Sequence, residues 1–196
     1  MIEPGRFIAR SSDRELWLFA RSQGVTATMV AKAATRSGFD EVVASLDNPQ
    51  SFEPNEFMRW GIEREPIIAL QVKDRFGIMP NDWLIAKDTD ANRWQMATPD
   101  GLSTDHKWIA EIKTTGKPFD RGVPLNYMRQ IQWQLWVTGA ERAIFAWEER
   151  LSGPDGFVPG LDVTCQWVDR DEKMMKQLVT VAERLQEHQV YSDWIS

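Results

Sequence analysis

The segment Thr98-Pro99-Asp100-Gly101 ends ten residues before Glu111-Ile112-Lys113, and these two stretches hold the residue types that metal-assisted hydrolysis needs. On a strand, side chains at i and i+2 share a face, so Glu111 and Lys113 project together while Ile112 points into the sheet. Asp100, at the end of a preceding hairpin strand, can come alongside. Two carboxylates and the Ile112 carbonyl make a hard-oxygen set suited to Mg²⁺ or Mn²⁺. A lysine beside them can orient or activate water and offset charge on a phosphoryl oxygen. A plainer reading stands beside this one. Asp-Gly turns and Glu-x-Lys pairs are common on surfaces, and Asp171-Glu172-Lys173 repeats the letters at the start of a helix.

Further polar residues fall where helices are expected. Glu65 follows Trp60-Gly61 on a long helical stretch, and Gln130 and Gln134 are four residues apart, which puts both on one helix face. Their plainer readings are an exposed face shared with Glu63 and Arg64, and a polar stripe opposite Ile131 and Leu135. His106 and His188 lie outside these motifs and read as surface residues.

The elements that must carry these residues follow from periodicity. Ser12 and Glu15 have capping-box spacing, and Leu16, Phe19 and Ala20 recur at helical intervals, so 12–22 reads as a helix ended by Gly24. A second short helix runs from a Thr26 cap through Ala34 and closes at Gly38, and 45–53 reads as loop. A longer helix covers about 54–75 and stops before Gly77, with Pro66 expected to kink it or mark a boundary. Beyond residue 78, short apolar runs suggest a hairpin of 83–86 and 94–97, then a strand over 107–113. Residues 114–123 read as loop, 124–138 as helix, 143–147 as strand, 152–160 as a Gly/Pro-rich loop, 162–168 as strand and 171–188 as a terminal helix. The order predicts an α/β fold, a mixed β-sheet flanked by helices.

The 196 residues fit a single domain, 1–196, around one core. Hydrophobic residues make up 42%, an ordinary globular share that excludes disorder and collagen. Trp17, Trp60, Trp133 and Trp136 lie in apolar-periodic segments and read as core rather than as base-stacking platforms. No uncharged apolar run approaches the roughly 18 residues that span a bilayer. Glu3, Pro4, Arg6 and Arg10 precede any apolar stretch, so neither a signal peptide nor a membrane span is expected. Cys165 is the only cysteine, which rules out an internal disulfide, a four-thiolate zinc site and an iron–sulfur cluster, and fits a reducing compartment. The net charge of −6 disfavours a protein coated in nucleic acid, but the charge is uneven. Residues 1–36 hold six basic against three acidic side chains, 106–130 five against two, and 141–196 six against eleven.

In combination the motifs say more. The chain carries Gly24-Val25-Thr26-Ala27-Thr28, then Trp-Gly-x-x-x-Glu-Pro, Pro-Asp-Gly-Leu, Glu-Ile-Lys, Tyr-Met-x-Gln-Ile-Gln-x-Gln-Leu-Trp-Val-Thr and Arg170-Asp171-Glu172-Lys173. In this order and spacing it resembles the phage lambda exonuclease and YqaJ-type viral recombinase family of PD-(D/E)xK nucleases, from about Trp17 to the final helix. The resemblance implies a restriction-endonuclease-like core and a Mg²⁺-dependent exodeoxyribonuclease, Mn²⁺ being the alternative ion. Such an enzyme resects linear double-stranded DNA, 5′ to 3′, for phage-type recombination. It implies that Asp100 and Glu111 bind the metal and that Lys113 activates water. Glu65 would correspond to the family's helix-borne acidic residue of the metal site, and Gln130 to its active-site glutamine. Arg21 and Thr28 fall where the family places a 5′-phosphate pocket, joined by Thr98; lambda exonuclease has serine at both hydroxyl positions. The loop from Thr114 to Leu125 is shorter than in lambda exonuclease. The implied partners are double-stranded DNA ends, a single-strand annealing protein and further copies of the chain in a trimeric ring, in the cytoplasm of a bacterial host. Two rivals stand beside this reading: a PD-(D/E)xK endonuclease, which would cut closed circles, and a catalytically silent DNA-binding module.

Overall fold

The computed structural model describes residues 1–48 and 53–195, which form six α-helices and nine strands. After a 3-10 turn at Pro4–Arg6 come β1 (Phe7–Arg10), α1 (Arg14–Ser22), β2 (Val25–Thr26), α2 (Ala27–Ala33), α3 (Arg36–Asp47) and α4 (Glu56–Phe76). Short strands follow: β3 (Ile78–Pro80), β4 (Trp83–Ala86), β5 (Gln95–Ala97) and β6 (Gly101–Ser103). The chain then runs through β7 (Trp108–Thr115), α5 (Leu125–Thr138), β8 (Arg142–Gly153), β9 (Gly156–Asp169) and α6 (Glu172–Ile195). Among the described residues the strands form two mixed sheets, ordered β3-β6-β7-β8-β9 and β1-β4-β5-β2.

Strands β7 and β8 are parallel over Trp108–Thr115, and a parallel pair needs a crossover, which α5 supplies. Strand β7 is buried on both faces. Ala110 and Ile112 pack with Ile68, Ala69 and Val72 of α4, while Ile109 packs with Ile131 and Leu135 of α5. Glu111 alternates onto the Ile109 side and so faces α5. The other flank of α5 belongs to the smaller sheet: Trp133 and Val137 join Val25 and Ala97, and Trp133 Nε1 donates to the Met96 carbonyl at 3.0 Å. Trp133 is completely buried, whereas Trp17, Trp60 and Trp136 are partly so.

Several local expectations are corrected. Asp13, not Ser12, caps α1 by accepting from Leu16 N, and the Ser12 hydroxyl bonds Asp82 instead. Gly38 does not close the second helix. It lies in α3, where its N–H donates to Thr35 Oγ1 at 3.1 Å and a Cβ would stand 2.0 Å from the Lys32 carbonyl. Close approach, not termination, is the reason for that glycine. Of the expected loop 45–53, residues 45–47 belong to α3, and 49–52 lie outside the described residues. Pro66 does not end α4: the helix runs on to Gly77, a left-handed cap at φ 69°. The expected loop 152–160 is the tip of a long β8–β9 hairpin, with Gly153 paired to Gly156 across two residues. Its strands were hidden because Leu151, Val158 and Leu161 are exposed and show no alternation of core and surface.

Candidate active site

The site is built around Glu111, which is completely buried. Its Oε1 accepts from Lys113 Nζ and Gln130 Nε2, and its Oε2 accepts from Gln134 Nε2 at 2.6 Å. The strand alternation thus brings Lys113 to Glu111, and the i, i+4 spacing on α5 brings both glutamines to it. Gln134 is buried, so that stripe faces inward rather than to solvent. Sequence reasoning noticed its spacing but gave it no role at the site.

Asp100 sits between β5 and β6 and is tied to β7 by its Oδ2, which accepts from Ile112 N at 2.6 Å. Burial, reinforced by repulsion from Glu111, pushes its carboxyl well above the ordinary carboxylate range, with Lys113 opposing. Burial works against the charge on Lys113, but the Glu111 and Asp100 carboxylates outweigh it and hold the ammonium above its usual value. Lys113 Nζ also donates to the Ile112 carbonyl at 3.1 Å. Glu65 stands on an exposed turn of α4, yet its carboxyl is raised, first by desolvation and also by Glu111, against the pull of Lys113. Among the described residues no three Asp, Glu, His or Cys side chains converge as a metal-binding group. The ligand set available is therefore two carboxylates and a main-chain carbonyl, with Glu65 within electrostatic reach.

A cleft of about 660 Å³ opens beside this cluster, lined among others by Glu65, Ile112, Lys113 and Tyr127. The helix that carries Glu65 is held to the larger sheet by Arg64, whose Nε and Nη2 donate to the two oxygens of Glu148 on β8, both at 2.7 Å. Arg64 therefore does not share an exposed face with Glu65. That ion pair is nearly dry, with side-chain exposures of 17% and 3%.

Arg21 and Thr28 line a separate cavity of about 590 Å³. The Arg21 guanidinium lies 4.3 Å from the Trp17 ring centroid, and burial, with Arg14 nearby, lowers its proton affinity. Thr26 lines the same cavity, and its buried Oγ1 has no hydrogen-bond partner among the described residues. Thr98 does not line it, although its Oγ1 is likewise buried and unpartnered. The parallel pairing of Thr26 with Met96 sets Thr28 and Thr98 each two residues past a registered pair, so both leave the smaller sheet at one end. His106 accepts from Ile2 N at 2.7 Å and His188 pairs with Asp47, both away from Glu111.

An α/β frame with Asp, Glu and Lys gathered on and beside one buried strand defines the restriction-endonuclease-like class. Residues 16–141 match the YqaJ-like viral recombinase domain, and the chain belongs to that family. Among solved structures it is similar to an alkaline exonuclease, LHK-Exo, from Laribacter hongkongensis, with 26% identity and a TM-score of 0.71 over 92% of this chain and 95% of that one. The same exonuclease in complex with dAMP matches at 26% identity and a TM-score of 0.70 over the same shares. A phage related exonuclease from Haemophilus somnus 129PT shares the fold at 14% identity and a TM-score of 0.67, over 88% and 95% of the two chains. No curated protein matches the sequence. No helix among the described residues is long and apolar enough to cross a membrane.

Proposed function

We propose that residues 1–196 are a single nuclease domain, a divalent-metal-dependent exodeoxyribonuclease that resects linear double-stranded DNA from its 5′ ends for phage-type recombination. The observation that carries this reading is the buried Glu111 carboxylate, bonded to Lys113, Gln130 and Gln134 and joined to Asp100 through Ile112. Family membership and the likeness to alkaline exonucleases support the choice of DNA and of end-directed attack.

The donor set fits a hard cation: two carboxylates enclosed together repel one another, and the Ile112 carbonyl adjoins them. Asp100, Glu111 and the Ile112 carbonyl would hold Mg²⁺ or Mn²⁺, with Glu65 at the edge, and the ion would polarise the phosphodiester and favour ionisation of the attacking water. Gln130 and Gln134 fix the Glu111 carboxylate in place. Lys113, kept as an ammonium, orients water and stabilises charge building on the phosphoryl oxygens. Arg21 and Thr28, which line one cavity, take the terminal 5′ phosphate, Arg21 as a bidentate donor, while Thr98 stands outside that cavity.

The test is digestion of end-labelled duplex with and without Mg²⁺, beside closed circular DNA. Metal-dependent release from 5′-phosphorylated ends, with circles intact, is expected. Cut circles would make the chain an endonuclease, and an inert protein that still binds DNA would make it a silent module. Light scattering near three times 22.6 kDa would accord with the ring, which places several cationic surfaces around one channel.

A further inference from the structure

The cleft that holds Glu65 and Lys113 is also lined by two arginines from distant elements, Arg14 of α1 and Arg150 of β8. Among the described residues neither makes an ion pair, in contrast to Arg64, which is committed to Glu148 on both oxygens. Arg150 lies against a pair of neighbouring rings: its guanidinium carbon is 4.3 Å from the Phe57 centroid and 4.9 Å from the Phe157 centroid. Gly116, in the loop after β7, leaves room for it, since a Cβ there would come within 3.1 Å of Arg150 Nη2. Arg14 rests on the Trp17 ring at 5.1 Å. A guanidinium held over a ring by cation–π attraction still has its N–H groups to donate, and that contact removes part of the rotamer freedom that binding would otherwise cost.

Two cations without ion pairs in the same cleft as a carboxylate-rich centre point to an anionic ligand that extends past that centre. The carboxylates of Glu65, Asp100 and Glu111 repel a polyanion, so cationic side chains elsewhere in the same cleft must offset that repulsion. We propose that Arg14 and Arg150 bind non-scissile backbone phosphates of the nucleic-acid strand whose bond is presented to Glu111 and Lys113. The proposal rests on the nuclease reading and adds to it the residues that seat the strand. A phosphodiester backbone supplies successive anions beyond the reacting phosphate, which further arginines in the same cleft can meet.

Each phosphate contact carries a counterion-release signature. Losing one lowers the slope of log K against log salt by about 0.9 for duplex DNA, so between 50 and 200 mM salt the wild type should lose about 3.5-fold more affinity than the variant. Fluorescence anisotropy with a 5′-phosphorylated duplex in EDTA measures this for Arg14→Gln and Arg150→Gln. Each should flatten the slope by about one contact and raise KM several-fold. Arg150→Lys, which loses the planar guanidinium but keeps the charge, should recover most of the slope while melting no higher than Arg150→Gln. Slopes of both Gln variants equal to that of a wild type that binds and cuts DNA would overturn the seating of the strand and leave the nuclease reading intact. An Arg150→Lys slope as flat as that of Arg150→Gln would assign Arg150 to packing alone and overturn its role. A wild type that neither binds nor cuts DNA would overturn both readings.

Discussion

Removing the cation from the Arg64–Glu148 pair should unfold the protein more readily than almost any other surface-derived charge change. In Arg64→Met, Glu148 keeps a side chain that is 3% exposed and loses both donors, so a carboxylate is left enclosed without compensation. Breaking one side of a buried pair typically costs about 3–5 kcal/mol. The arginine is only 17% exposed, so solvent screening discounts this little. In a chain of this size about 1 kcal/mol shifts the melting temperature by roughly 2–4 °C, so a fall of about 6–20 °C is expected. The double variant Arg64→Met/Glu148→Leu removes the stranded charge and should recover most of that loss, because apolar replacement of a buried pair is often neutral or better. Circular-dichroism melts at pH 7 of the wild type, Arg64→Met, Glu148→Leu and the double variant form the cycle that measures it. A single variant melting within about 2 °C of wild type, or a double variant no better than the single, would refute the claim that enclosure of Glu148 dominates.

Lys113→Ala should lower cleavage by about 10² to 10³, the loss typical of one positioned electrophile, in single-turnover assays; near-wild-type turnover would remove Lys113 from the chemistry. Gln134→Leu leaves Glu111 Oε2 without its donor and should cost about 1.5–3 kcal/mol in urea unfolding, the range for a hydrogen bond to a charged group; an unchanged midpoint would mean that another donor takes its place. Gly24→Ala places a Cβ 2.3 Å from the Trp94 carbonyl, which also accepts from Val25 N, so β2 must part from β5; a loss of about 1–3 kcal/mol is expected in the same assay. Burial lowers the affinity of His106 for a proton, and its Nδ1 accepts from Ile2 N, so the folded state binds that proton less well than the unfolded one. Its stabilising contribution is present above about pH 6.5 and is lost as pH falls below it, so melting temperature should fall less between pH 7.5 and 5.5 in His106→Asn than in the wild type.

The cluster around Glu111 was the most legible part of the chain, because its geometry is local. Glu111 and Lys113 are two apart on a strand, and Gln130 and Gln134 four apart on a helix, so secondary-structure periods alone bring each pair together. Asp100 was reachable for a similar reason, standing one short strand before β7. Arg64 was misread because its partner lies 84 residues away, and nothing in Glu-Arg-Glu tells a buried arginine from a solvated one. The β8–β9 hairpin failed differently: its outer strands do not enter the core, so hydrophobic alternation, which reports burial, had nothing to report. The glycine at 38 was read as a stop when it permits backbone contact, a property of what it touches and not of its neighbours in sequence; Gly24 does follow the end of α1, but it too is required by a close backbone approach.

Helix α5 grips the smaller sheet through Trp133 and Glu111 of β7 through Gln130 and Gln134. A helix rises about 1.5 Å per residue and resists stretching, so it acts as a gauge block between two workpieces. The cavity lined by Thr26 and Thr28 belongs to the end of β2, and Glu111 to β7, and the spacing between them is set by packed core rather than by loop. A strand with its end seated in that cavity would meet Glu111 at a constant interval, turnover after turnover. Altering the length of the released fragment would then require re-machining the interior, which insertions in surface loops leave untouched.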